Sequence, residues 1–219
     1  MTNGDLIVDN NNLTGDDTTT QLAGTSFTFK NLTVRNGADY VIPGTSTLTS
    51  EATTGTLTFG GTQRPSLAIK GGATFNPPTA TFTFNDIDVF HYGDLGIVTT
   101  LSTRNGTYKI NTKTALFPAN TANRLGTLNV GYLSTFSTTS TDTFWIGALT
   151  VQGNGLLTHD ENYSSIINKL TVSATTSITV DASGVIGVQN KGYSITSGAP
   201  GAGTTQASCN DAPDRKSVV

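Results

Sequence analysis

One phrase of apolar and polar positions returns along the chain: F-x-F-x-x-[LI]-x-V. It stands at 27–34 as FTFKNLTV, at 82–89 as FTFNDIDV and at 144–151 as FWIGALTV. Partial copies put Ile167, Leu170 and Val172, and again Leu125, Leu128 and Val130, in the last three places. A Leu-Thr-Val triplet points in, out, in, which is the period of a β-strand. The closing apolar position predicts a column at Ile69, Val89, Ile110, Val130, Val151 and Val172, in steps of 20, 21, 20, 21 and 21 residues. Two residues before each stands Leu67, Ile87, Tyr108, Leu128, Leu149 or Leu170.

Strands this short bury too little to stand alone. A chain that coils back every ~21 residues lays each strand about 4.8 Å above its predecessor and pairs with it in parallel. The expected fold is therefore all-β: a single-stranded parallel β-helix, or β-solenoid, of ~21-residue coils, with Gly and Asn at corners that need left-handed backbone. A sandwich or meander would use two-residue Asn-Gly hairpin turns. That dipeptide does occur, as at Asn3, Asn36 and Asn105, but hairpins do not explain a constant spacing. The β-helix is expected over residues 26–193, after an irregular segment or partial coil at 1–25. The phase is lost at about 43–61, which reads as an inserted loop or lateral strand. Residues 194–213 read as a Gly/Ser/Thr-rich loop or linker. The last six, DRKSVV at 214–219, match what a sequencing adapter encodes; they are read as adapter-derived, which makes the chain a fragment of a longer gene, with a short disordered polar tail as the alternative.

Composition sharpens this reading. Only 12% of residues are charged, against about 25% in an ordinary domain. Thr and Gly are abundant and strong helix formers are scarce. A net charge of -3 argues against a nucleic-acid partner, which needs clustered Lys and Arg. Cys209 is alone, so neither an internal disulfide nor a thiolate metal cluster is available. No apolar run approaches the ~18 residues of a membrane helix, so no membrane insertion by this segment is expected. The opening MTNGDLIVDNNN lacks the pattern of a signal peptide, which reads either as a cytosolic chain or as a true N-terminus lying upstream.

The coil phrases, and ITVDASGVIGVQNKGY with its Gly-rich sequel, resemble the repeats of large bacterial surface β-helix proteins. These are the autotransporter and haemagglutinin-like adhesins of the pectate-lyase-like superfamily. The resemblance implies a right-handed helix and an extracellular or cell-surface location. The leading expectation for function is a non-catalytic stalk or passenger that presents loops to a host or matrix glycan or protein, without a cofactor. The alternatives are a carbohydrate-active β-helix (lyase, hydrolase or glycan binder) and, more remotely, an ice-binding solenoid.

Lyases on this fold hold Ca²⁺ with clustered Asp, so the resemblance directs attention to Asp86 and Asp88. Alternation puts both on one outward strand face, with His91, Asp94 and Arg104 within about a coil. They form a weak candidate carboxylate or Ca²⁺ site, since Ca²⁺ takes 6–8 oxygens and the aligned residues Thr107, Lys109, Asn31 and Thr33 build no acidic column. His159-Asp160-Glu161 reads as a solvated loop; no G-x-S-x-G nucleophile motif accompanies it and no catalytic residue is expected. Phe27, Phe82, Phe144 and Trp145 are expected in an aromatic core stack, with a sugar-stacking Trp145 as the alternative. The N-x-[ST] matches at Asn12, Asn31, Asn105 and Asn162 are what chance gives in a chain rich in Asn and Thr. Outward Thr in T-x-T spacing, as at Thr81 and Thr83, could match an ice lattice. The outward residues of the anchor strands are Ala68, Asp88, Lys109, Asn129, Thr150 and Thr171, which make no regular array.

Overall fold

A computed structural model describes residues 4–10, 18–51, 56–120, 124–162, 166–188 and 191. Strands β1 (Gly4–Asp9) and β2 (Thr18–Thr20) lead into β3 (Ser26–Arg35), β4 (Asp39–Ile42) and β5 (Thr47–Ser50). Next come β6 (Thr56–Gly60), β7 (Ser66–Ile69), β8 (Thr74–Asn76), β9 (Thr81–Asn85), β10 (Asp88–His91) and β11 (Asp94–Leu95). The chain continues through β12 (Thr100–Arg104), β13 (Gly106–Ile110), β14 (Leu125–Val130), β15 (Ser134–Thr138) and β16 (Phe144–Val151). It closes with β17 (Leu156–His159), β18 (Val172–Val180) and β19 (Val185–Ile186). The described residues include no helix.

The strands stack in parallel as a β-solenoid of about seven turns. One face holds eight strands in the order β19-β17-β15-β13-β10-β7-β4-β2, a second holds β18-β16-β14-β12-β9, and a third runs β1-β3-β5-β8-β11 with β6 also on β3. Segment 43–61, expected as an insertion or lateral strand, supplies β5 and β6, each in parallel register with β3. In the 1–25 segment, β1 pairs with β3 and β2 with β4.

Alternation fills the interior. On the eight-stranded face one inward column runs Tyr40–Leu67–Val89–Tyr108–Phe136–Leu157–Ile186. Its neighbour runs Ile42–Ile69–His91–Ile110–Thr138–His159. The five-stranded face contributes Phe82–Leu101–Leu128–Leu149–Ile178 and Phe84–Thr103–Val130–Val151–Val180. Aromatic rings continue the stack from coil to coil: Tyr108 lies on Phe136 at 5.0 Å and 9°, and Phe136 on Phe144 at 5.6 Å and 19°.

The coils are not of one length. Partner numbers along the first column, starting from Thr19, differ by 21, 27, 22, 19, 28, 21 and 29 residues. The six expected anchors consequently do not form one column. Ile69 pairs with His91 and Val89 with Leu67, whereas Val130 and Val151 pair on a different face and Val172 pairs with Phe144. A fixed step across coils of unequal length drifts from one face to another. The F-x-F-x-x-[LI]-x-V phrase is likewise no marker of one face: Phe29 and Val34 lie on β3, Phe84 and Val89 on β9 and β10, and Phe144 and Val151 on β16.

Corners set the coil lengths, and backbone approaches backbone closely there. A Cβ on Gly155 would lie 2.6 Å from the Val130 carbonyl oxygen and 3.0 Å from those of Gln152 and Gly131, so only glycine fits. The corner that leads into the eight-stranded face turns through left-handed residues at Asn36, Asp86, Asn105, Leu133 and Asn154, with φ between 47 and 59°.

Candidate functional site

This corner takes Asp86 out of the strand pattern. Asp86 stands between β9 and β10 with φ 57°, and its backbone N–H donates to the Arg104 carbonyl at 3.2 Å. Asp86 therefore sits in the corner, outside the strand that holds Asp88, where the sequence suggests one shared strand face. The Asp86 carboxylate accepts the Asn85 amide at 2.6 Å and also the Asn105 amide. Asp88, the first residue of β10, accepts the Thr107 backbone N–H at 2.7 Å and faces the Arg64 guanidinium at 3.6 Å. Each carboxylate has its own partners. No group of three or more His, Cys, Asp or Glu able to hold a metal occurs among the described residues.

Around Asp86 the corner opens into a groove of about 510 Å³, lined by Thr83, Asn85, Asp86, Arg104, Asn105, Tyr132 and Leu133. The rungs are in direct register: Asn85 pairs with Arg104, and the Asn105 N–H donates to the Tyr132 carbonyl at 2.9 Å. Arg104 is exposed and forms no ion pair among the described residues. Tyr132 and Leu133 are 50% and 55% exposed. Neither residue belongs to the strand repeat or to a cluster of charged side chains. Their signal lies in turn chemistry. The turn 131–134 closes with the Ser134 N–H on the Gly131 carbonyl, as 152–155 closes with Gly155 on Gln152 and 35–38 with Ala38 on Arg35. The central pairs of those other turns are Gly153-Asn154 and Asn36-Gly37. Only the 131–134 turn puts Tyr and Leu in these positions.

Other residues singled out from the sequence lie apart. His91 is fully buried on β10, with Nδ1 2.7 Å from the Tyr108 hydroxyl, and burial pushes its pKa down to about 3. The same burial raises the Tyr108 pKa. Asp94, on the six-stranded face, is raised by partial burial. His159 is not in a solvated loop: it ends β17 in an inward position and is 8% exposed, its Nδ1 2.6 Å from the Asp160 carbonyl. Partial burial works to raise the Asp160 pKa, but the Lys109 ammonium at 2.9 Å outweighs it and holds the carboxyl below its usual range. Glu161 instead faces Lys191 at 3.5 Å. Phe82 and Phe144 are buried as expected and Phe27 is half-buried, but Trp145 is 44% exposed with the Arg124 guanidinium 4.5 Å from its ring centroid. It points out because Phe144 and Ile146, on either side of it in β16, point in.

The outer surface of the five-stranded face holds what a constant 21-residue step conceals. Two outward columns run in register: Thr81–Thr100–Thr127–Ala148–Ser177 and Thr83–Ser102–Asn129–Thr150–Thr179. None of these ten residues is charged. The Asn129 amide donates to the Ser102 hydroxyl at 3.2 Å along the column. Comparison with known protein families, with curated proteins and with solved structures finds no match to this chain.

Proposed function

We propose that the chain is a non-catalytic structural segment of an extracellular or cell-surface protein, a stalk or passenger of the adhesin type whose corners are presented to a host or matrix partner. One observation carries this reading: the core columns run on to the last coil and remain uncovered there. Ile178, Val180 and Ile186 continue the columns of Leu149, Val151 and Leu157 in direct register. Their partners are 0% exposed, whereas they are 43%, 44% and 37% exposed. Burying a side chain of this size is worth about 1.5–3 kcal/mol, so the surface is stabilised by a further stacked coil, as in a longer rod. The edge of β18 is also left unpaired among the described residues, ready to accept another parallel strand. Outside such a rod, the chain is expected to self-associate in a concentration-dependent way, and Ile178→Lys with Val180→Lys to return it to a monomer in sedimentation velocity. A wild-type chain that stays monomeric at high concentration and melts in one sharp transition would count against the rod.

A second reading is favoured by the hydroxyl columns on the five-stranded face. Rungs about 4.8 Å apart, with outward side chains about 6.6 Å apart along each strand, make an uncharged lattice of the kind that can match ice. Thr83 and Thr150 sit in the same column, three rungs apart, with Ser102 and Asn129 between them. An ice-binding surface predicts thermal hysteresis that Thr83→Tyr and Thr150→Tyr abolish without lowering the melting temperature. Wild-type protein excluded from growing ice would end this reading and leave the rod standing.

A further inference from the structure

We propose that the corner groove around Asp86, Arg104 and Tyr132 is a binding subsite for a neutral saccharide chain. Placement makes the first case. Most other exposed large apolar residues lie near the ends of the stack, such as Ile7 on β1 and Ile178, Val180, Val185 and Ile186 on β18 and β19. Tyr132 and Leu133 lie in its middle, where no further coil can cover them. Their turn also departs from what folding alone favours. A left-handed position accepts Gly or Asn readily and a branched apolar residue at a cost, yet Leu133 holds φ 52° where the corresponding turn has Asn154 at φ 59°. Local rules broken without a packing gain are expected at functional positions.

Chemistry selects the ligand. Tyr132 offers an exposed ring with a polar tip, suited to stacking on the C–H face of a pyranose. Arg104 brings a planar fork of donors, with no carboxylate partner among the described residues to occupy it. Asp86 is held in place by the Asn85 and Asn105 amides, with acceptor capacity left over for a hydroxyl. A ring platform with a few fixed polar groups in an open groove fits a sugar's alternating apolar faces and hydroxyl edges. The charges of Arg104 and Asp86 cancel, which favours a neutral chain over a uronate polymer. Asp86 and the Tyr132 backbone are two rungs apart, about 9.6 Å along the stack, room for more than one sugar unit.

The subsite gives a ligand class to the display role proposed above and rests on that role for its setting. Its test is separate from the self-association measurement, so either can fail alone. The full chain is titrated by calorimetry with cellohexaose, maltohexaose, laminarihexaose and hexagalacturonate. At least one neutral hexasaccharide is expected to bind, and Tyr132→Ala and Arg104→Ala each to lose about tenfold or more in affinity. Trp145→Ala, an exposed aromatic outside the groove, is expected to bind as wild type does. Leu133→Asn separates binding from folding: it should melt no lower than wild type and still bind more weakly. Absence of binding to every neutral hexasaccharide overturns the proposal. So does wild-type affinity in Tyr132→Ala, or binding of hexagalacturonate alone.

Discussion

Acidification from pH 7 to pH 4 is expected to destabilise the solenoid well before its carboxylates titrate, and to do so through His91. The imidazole occupies a column otherwise filled around it by Ile42, Ile69 and Ile110. Rings of Tyr108 and Phe117 meet it edge-on at 5.8 and 5.1 Å. No water reaches it, so the protonated form has lost its hydration, and the folded pKa falls from 6.5 to about 3. The unfolded chain takes up a proton below pH 6.5 that the folded chain refuses. Stability is therefore complete above that pH and falls by about 1.4 kcal/mol per unit below it. By pH 3 the loss is about 5 kcal/mol, a large share of the 5–15 kcal/mol of an ordinary domain. Asp160 adds in the same direction at lower pH: its carboxyl is held below the ordinary range, so its contribution is lost as it protonates. Asp94, raised by burial, works the other way. Urea unfolding at pH 7, 6, 5 and 4 measures the slope. His91→Leu alone strands the Tyr108 hydroxyl, at about 1–3 kcal/mol, so the informative variant is His91→Leu with Tyr108→Phe. It should remove most of the slope above pH 5. A slope unchanged in the double variant would mean that His91 is not its source.

The phrase FTFKNLTV and its relatives made the parallel solenoid legible, because strand alternation and repetition are properties of sequence alone. Register was not legible, because it depends on how much chain each corner consumes. Coils of 19 and 28 residues flank the rung of Tyr108, yet Val89, Tyr108 and Phe136 still stack. No apolar pattern records the 9-residue difference, which is taken up outside the strands. The error then spread to the surface: Asn129 and Thr150 share a column with Thr83, whereas Ala68, Asp88 and Lys109 belong to another face. Asp86 lies off the strand that holds Asp88 for a local reason. An Asp readily adopts left-handed backbone, and one such residue ends β9 and puts Asp86 in the corner before β10 begins. The groove left a trace that alternation does not report. In the series Asn36-Gly37, Tyr132-Leu133, Gly153-Asn154, the apolar pair stands out once the turns are aligned, and that alignment requires the register.

Replacing Phe136 by alanine is expected to cost 3–5 kcal/mol, the range for a fully buried ring. Phe136 is 0% exposed and lies between two others, Tyr108 at 9° and Phe144 at 19°, so its removal opens a gap in a continuous stack. The two lost ring contacts add about 0.5–1.5 kcal/mol each to the transfer and cavity terms. Collapse around the gap is limited, because Tyr108 and Phe144 are anchored on β13 and β16 by their own ladders. The consequence is also directional. In a solenoid each coil is stabilised chiefly by its neighbours, and β15 joins β13 to β17 and β19. Weakening that rung detaches the coils whose last apolar positions are already uncovered. Amides of β17, β18 and β19 should lose hydrogen-exchange protection in Phe136→Ala while those of β7 and β10 keep it, and urea unfolding should broaden or split. Phe136→Leu, which refills most of the volume, should restore a single transition at a smaller loss. A uniform loss of protection from β4 to β19 would instead make the stack one cooperative unit, and the uncovered end coil would then be held as firmly as the middle.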